Sequence, residues 1–292
     1  MRLTPTGSRR MIPFVKYSGA GNDFLIVRAG EAGSDPAELA RRICARRTGA
    51  GADGLALVEP RGDGPVGIRF FNPDGSEFGT CGNGTRCVAR WADDRGLAPD
   101  GASTLETSEG RIAARVRGER VRLDYRLPCR VRGRRTVPLG EERREGWLVE
   151  MGTPHLVLPM ERLPEGEVEE LCRPARRAEA LGPEGANVNL VEVRSRGRAA
   201  IRTYERGVEG ETAACGAGAM SAALALHAAG RTGRRLELET RSGEALTVEL
   251  GEDAAGDVSG REVRTLRLIG PARPVYEGRF PAAGETGRAG RA

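Results

Sequence analysis

The chain has 292 residues, 39% hydrophobic and 30% charged, enough for two domains that each bury a core and a soluble globular profile. No run approaches the ~18 apolar residues of a membrane span, and the start Met1-Arg2-Leu3-Thr4-Pro5 lacks a secretory signal's apolar segment. The net charge of +5 does not point to nucleic acid: the arginine pairs are scattered, have few aromatic neighbours and belong to no recognisable nucleic-acid module.

Residues 1–10 and 281–292 are polar, Gly/Arg-rich tails without periodicity and are expected to be disordered. Between them, an apolar stretch from Ile12 to Val27, broken by Ser18-Gly19-Ala20-Gly21-Asn22, reads as strand, tight loop, strand. A helix follows Asp35, with Pro36 at its first position, Glu38 in the capping turn, and Leu39, Ile43 and Cys44 on one face. The strand Ile68–Asn72 ends in a Pro73-Asp74-Gly75 turn, and a helix spans about Asn83 to Arg95 with Gly96 just past its end. Ile112–Val116 and Val121–Leu123 form a hairpin around Gly118, and the crossing to a second domain falls near Leu127-Pro128. That domain has strands at Trp147–Met151, Asn187–Val193 and Ala199–Tyr204 and a helix from Gly216 to Ala229 stopped by Gly230. It closes with the hairpin Leu236–Glu239 and Leu246–Leu250. The expected domains are 11–128, with 269–280 returning to it, and 129–268. Strands predominate, with one long helix per half, which is an α+β pattern without alternating strand–helix–strand units.

The halves are related. Cys81-Gly82-Asn83-Gly84 and Cys215-Gly216-Ala217-Gly218 lie 134 residues apart, each directly before a helical run. Asp53 precedes the first cysteine by 28 residues and Asn187 precedes the second by 28. Leu105-Glu106-Thr107-Ser108-Glu109-Gly110 is answered by Leu238-Glu239-Thr240-Arg241-Ser242-Gly243. A period of this length marks a duplicated domain.

A cysteine at a helix start has a physical meaning. The first N–H groups of the helix lack partners and the macrodipole is positive there. Thiolate is favoured over thiol, and the pKa is expected to fall towards neutrality. The same N–H groups bind a carboxylate. Two such thiols facing across one cleft are what a cofactor-free racemase or epimerase needs. The other four cysteines, Cys44, Cys87, Cys129 and Cys172, show no metal-ligand spacing and read as packing, in the cytoplasm and therefore reduced. His227 lies in an Ala-rich helix and reads as structural, whereas His155, in Gly152-Thr153-Pro154-His155, ends a strand and is a candidate for the cleft. Lys16 is the only lysine among 46 basic residues, so its place in a glycine-rich segment is expected to be special.

Over nearly its whole length the chain resembles diaminopimelate epimerases. The carrying segments are Phe14 to Phe24, Gly49-Ala50-Gly51-Ala52-Asp53-Gly54, Phe71 to Glu77, Cys81 to Cys87, Gly152-Thr153-Pro154-His155, Tyr204-Glu205-Arg206-Gly207 and Gly210 to Gly216. The resemblance implies two pseudo-symmetric domains, each a curved antiparallel sheet around a central helix, with the site between them. It also implies interconversion of LL- and meso-diaminopimelate without pyridoxal phosphate, metal or other cofactor. Cys81 and Cys215 match the two proton-transferring thiols, and Gly82-Asn83 and Gly216-Ala217 the amides that hold the reacting carboxylate. Asn22, Asn72, Asn187 and Arg206 match substrate-positioning groups, the last three at the distal amino-acid end. Glu205 and His155 match residues near the reacting amine. Ala217 stands where the family commonly has Ser or Thr, and Thr153 where it frequently has Asn. Neither a nucleic-acid nor a membrane partner is expected, and a homodimer is compatible with the sequence.

Two other readings stay open. A proline or other amino-acid racemase of the same fold would leave Asn72, Asn187 and Arg206 without a purpose. A binding or redox protein could use Cys81 and Cys215 as a disulfide.

Overall fold

The structure, a computed structural model, describes residues 10–282 except 63, 257 and 259. The tails expected to be disordered fall outside the described residues, apart from residues 10, 281 and 282. Pro281 closes the last strand, and the Ala282 amide donates to the Arg10 carbonyl at 2.9 Å.

The first half runs β1 (Met11–Gly19), β2 (Asn22–Arg28), α1 (Pro36–Ile43), β3 (Gly54–Glu59), β4 (Val66–Phe71), β5 (Glu77–Phe78), α2 (Gly82–Asp94), β6 (Ala102–Thr107), β7 (Gly110–Arg117) and β8 (Arg120–Leu139). The second runs β9 (Glu142–Met151), β10 (Thr153–Met160), α3 (Glu169–Arg176), β11 (Asn187–Ser195), β12 (Arg198–Glu205), β13 (Gly210–Thr212), α4 (Gly216–Ala228), β14 (Arg235–Glu239), β15 (Ala245–Leu250) and β16 (Glu262–Pro271). Finally β17 (Arg273–Pro281) returns to pair antiparallel with β1.

The pairing order repeats. In the first half β2 lies parallel to β3 across α1, and β4 parallel to β6 across α2. In the second, β10 lies parallel to β11 across α3, and β12 parallel to β14 across α4. The α+β class and the two-domain repeat therefore stand, with one correction of detail. All the strands join in one mixed 17-stranded sheet, and each half holds two strand–helix–strand crossovers, because parallel neighbours need a connection long enough for a helix. The sequence reading missed these because α3 carries Pro174 in its interior, and β3, β6 and β10 went unassigned.

Strand alternation explains the core. Phe24 and Ile26 of β2 face the large central cluster built around α2 and α4, while Leu25 and Val27 face an outer cluster with α1. In the second half Val157 and Val191 face the centre, and Leu156, Leu158, Val188 and Leu190 pack under α3. The sheet is thus covered on both faces at β2 and at β10–β11, whereas β7 alternates buried and exposed residues and is covered on one face only; α2 and α4 sit together in the middle. Both are largely buried: α4 is made almost entirely of small and apolar residues, and α2 leaves Arg90, Asp93 and Asp94 outside its buried set.

The chain passes between halves inside β8, whose first part pairs with β7 and β16 and whose last part pairs with β9. Pro128, lacking an N–H, falls where the β8–β16 register shifts. Asp35 caps α1 as its position suggested, its carboxylate accepting from the Glu38 amide at 2.9 Å. Among the described residues no helix is long and apolar enough to cross a membrane.

Candidate active site

Cys81 and Cys215 are the N-cap residues of α2 and α4, each in extended backbone just before its helix. The two helices begin against one another. A Cβ built on Gly82 would lie 3.9 Å from the Gly216 Cα, and one on Gly216 would lie 3.9 Å from the Gly82 Cα and 2.8 Å from Leu268 Cδ2. At Gly216 a side chain would also press on Leu268, which glycine avoids. Two sets of unpaired N–H groups and two positive dipole ends therefore point into one space, a cavity of about 980 Å³ between the halves. The β1–β2 turn reaches it as well. Ala20 and Gly21 have φ of 61° and 85°, a two-residue turn of the hairpin type. A Cβ on Gly21 would sit 2.7 Å from Ser242 Cβ of the second half.

The cavity gathers Cys81, Gly82, Asn83, Asn22 and Asn72 from the first half, and Cys215, Gly216, Ala217, His155, Asn187 and Glu205 from the second. Thr153 lines it too. Arg206 does not. Its backbone N–H donates to Asn187 Oδ1 at 2.7 Å, but its guanidinium turns outward to Glu184 at 2.8 Å.

On the first side the Asn22 amide donates to Asp53 Oδ2 at 2.7 Å, which turns its oxygen towards Cys81 Sγ (3.8 Å) and Asn83 Nδ2 (3.3 Å). Asp53 is locked to Asp23, whose Oδ1 accepts from the Asp53 N–H at 2.7 Å. Lys16 completes this layer, bonding Asp23 at 2.7 Å and the Gly51 carbonyl at 2.6 Å while mostly buried. On the second side Glu205 accepts from the Thr212 hydroxyl at 2.5 Å, and its negative field reaches the Cys215 thiol. Cys215 Sγ accepts from the Gly218 N–H at 3.3 Å. His155 lies between two carboxamides, Asn187 Nδ2 3.2 Å from Nε2 and Asn189 Nδ2 3.3 Å from Nδ1.

The expectation of thiols lowered towards neutrality is overturned. Burial pushes Cys81 above its usual value, and the Gly84 and Asn83 amides only partly offset it. Cys215 is pushed well above, by burial first and then by the negative field of Glu205. The helix N-terminus does act in the expected direction, but desolvation of the charged form is larger. Burial likewise raises Glu205 and holds His155 down to about 4, so His155 is a neutral ring at pH 7.

Sequence reading missed several residues that line the cavity, among them Arg46, Thr107, Glu109, Arg111, Tyr125, Arg126 and Val208. Thr107 and Glu109 belong to the repeated block beginning at Leu105, which was the one available signal. Tyr125 enters only because the long β8 passes under Gly82, where a Cβ would meet its hydroxyl at 3.3 Å. Cys44, Cys87, Cys129 and Cys172 are buried, each pushed up to about 12 by burial. His227 is tied to backbone, with Nε2 2.9 Å from the Ala254 carbonyl.

Comparison with known proteins agrees with this geometry. The family model "Diaminopimelate epimerase" matches residues 14–125 and 147–260, one segment in each half. The diaminopimelate epimerase of Moorella thermoacetica is 37% identical over 290 residues, covering 92% of this chain and 99% of that protein. That of Aquifex aeolicus is 36% identical over 282 residues, covering 91% and 97%. Among solved structures, a probable proline racemase from Agrobacterium radiobacter K84 superposes with a TM-score of 0.68 at 18% identity, covering 94% of each chain. A phenazine biosynthesis protein of the PhzF family from Enterococcus faecalis gives 0.66 at 15% identity, covering 92% of this chain and 99% of that one. These two likenesses concern the fold alone. With a family model spanning both halves and relatives matched almost end to end, the chain belongs to the diaminopimelate epimerase family.

Proposed function

We propose that this chain, an epimerase by its family, interconverts LL- and meso-diaminopimelate by passing a proton between the α-carbon and two thiols, Cys81 and Cys215. The observation that carries this reading is the meeting of two cysteine-capped helix N-termini at Gly82 and Gly216. The reacting carboxylate binds the free N–H groups at the two helix starts. As the α-C–H bond breaks, those preorganised donors hold the charge that spreads into the carboxylate. One cysteine, as thiolate, takes the α-proton from one face and becomes a thiol. The other gives its S–H proton to the opposite face and becomes the thiolate, so charge and protons balance.

Both thiols are raised, so the thiolate needs help, and the substrate's own ammonium group brings a positive charge into the cavity. Glu205, whose charge acts on Cys215, accepts from that ammonium. His155, held neutral, positions Asn187 by hydrogen bonding and does not act as a cationic acid. Arg206 exchanges its exposed partner Glu184 for the distal carboxylate, joined by Asn72 and Asn187. An exposed ion pair is worth only about 0–1 kcal/mol, so the exchange is easy. The enzyme works in the cytoplasm. Val275 and Tyr276, exposed on β17, fit a homodimer, which light scattering would check.

The test is incubation with LL-diaminopimelate in D₂O. The expected outcome is meso product carrying one solvent deuterium at the inverted carbon, with proline inert. Turnover of proline at a comparable rate would move the chain to the racemase reading. No α-exchange on any amino acid, together with a Cys81–Cys215 disulfide, would favour the redox reading.

A further inference from the structure

Among the described residues Arg86 is one of the largest fully buried side chains, and no carboxylate forms a salt bridge with it. Its three hydrogen bonds go to neutral oxygens: Asn83 Oδ1 at 2.8 Å, the Gly82 carbonyl at 3.2 Å and the Pro271 carbonyl at 3.3 Å. Space for it is made by Gly270, where a Cβ would lie 2.9 Å from its Nε. A charged group buried without a counter-ion is costly and calls for a reason.

The reason lies in what its partners touch. Asn83 could present either end of its amide to the cavity. Because Arg86 donates to Oδ1, the Nδ2 group must face the other way, where it donates to the Ala214 carbonyl of the second half at 2.8 Å and approaches Asn22 Oδ1 at 3.3 Å. Ala214 directly precedes Cys215, and Asn22 Oδ1 faces Cys81 Sγ. One guanidinium therefore sets an amide that touches the surroundings of both cysteines. The link is made once only. At the positions of the repeat that match Asn83 and Arg86, the second half has Ala217 and Met220, which cannot reach back with a hydrogen bond. In this chain no side chain from α4 shares the task.

We propose that Arg86 is a positioning residue that acts through Asn83 to fix the placement of the Cys81 and Cys215 thiols relative to each other. This rests on the two-thiol reading above. It predicts that Arg86→Lys, which keeps the charge but loses the planar fork, and Arg86→Met, which loses both, each lower kcat on the order of 10²-fold, the scale of a small misplacement of reacting groups. KM changes little, because the carboxylate-binding amides remain.

The experiment is a double-mutant cycle of Asn83→Ala and Arg86→Met, read as kcat and KM for LL-diaminopimelate, with thermal unfolding of each variant. If Arg86 acts through Asn83, the double variant is no slower than Asn83→Ala alone. Additive losses would overturn the proposal, as would a full kcat in Arg86→Lys, which would make charge alone sufficient. Should Arg86→Met not fold, Arg86→Lys takes its place in the cycle. A wild type without α-exchange breaks the functional reading and this inference with it. A wild type that exchanges normally beside fully active Arg86 variants breaks only the inference.

Discussion

The two cysteine-capped helices come from one repeat and share a backbone, yet their surroundings differ. Both thiols feel the carboxylate Glu205, but at the start of α2 Cys81 also has a buried cation, Arg86, which partly offsets it, and a carboxamide, Asn83. At the start of α4 the matching positions are Met220 and Ala217, and the charged neighbour of Cys215 is the carboxylate Glu205. Duplication thus fixes where two sulfurs stand, because backbone geometry is inherited with the strand and helix pattern. The few side chains that differ between copies decide how readily each sulfur ionises. On the two-thiol proposal a symmetric scaffold needs this asymmetry, since one thiol is deprotonated while the other holds its proton.

The largest effect should come from removing either member of the pair. Cys81→Ala and Cys215→Ala are each expected to lower epimerisation by on the order of 10³–10⁴-fold. Neither should lower the unfolding temperature appreciably, as both residues line the cavity rather than the core. Steady-state rates on both variants check this. Retention of more than a few per cent by one of them would mean that the halves are not equal partners.

Next is the distal grip, which belongs mainly to the second half. Arg206→Met should cost about 2–5 kcal/mol in kcat/KM for diaminopimelate, the price of stranding a bound carboxylate. Glu184→Gln frees the same guanidinium and should leave KM unchanged or lower it. If Arg206→Met binds as well as wild type, the arginine stays with Glu184 and the grip lies elsewhere in the cavity, where Arg111 and Arg126 are the remaining cations to test.

A smaller effect concerns stability. His155 ionises at about 4 in the folded chain against an ordinary 6.5, a difference worth about 3 kcal/mol. The unfolded chain binds the proton first, so stability is lost as pH falls from about 6.5 towards about 4 and is complete above that window. The first half has no histidine to match. Denaturant titrations of wild type and His155→Gln across the window should differ in slope; parallel curves would show that the ring is not held neutral.

The smallest expected difference compares the sulfurs directly. Both should alkylate slowly with iodoacetamide at neutral pH and faster as pH rises, since both are raised by burial. Cys81, with Arg86 near, should react before Cys215, beside Glu205. Peptide mapping of partly alkylated protein reads the order, and the reverse order would contradict the asymmetry described above.

Much of this was visible in one dimension because a repeat makes its own alignment. Matching Cys81 with Cys215 located both helix starts, and Asn187 marked the start of β11, although β3 beside its counterpart Asp53 went unassigned. Periodicity also placed α1, α2 and α4 to within a residue or so. Other features had no local signal. Arg206 matched a substrate contact by motif, yet its orientation depends on Glu184, 22 residues away. Arg86 looked like part of a motif, and nothing near it in sequence showed that Pro271 and Gly270 would enclose it.

What the sequence determined by itself is therefore the duplicated α+β scaffold, the two cysteines as helix caps, and the four remaining cysteines as packing. These follow from spacing, from turn residues and from the period of apolar positions, all of which act over a few residues. Tertiary structure alone decided the ionisation of the two thiols, the neutrality of His155 and the role open to Arg86. Each depends on how much water surrounds a group and which charges stand near it, and those quantities exist only once distant segments have packed together.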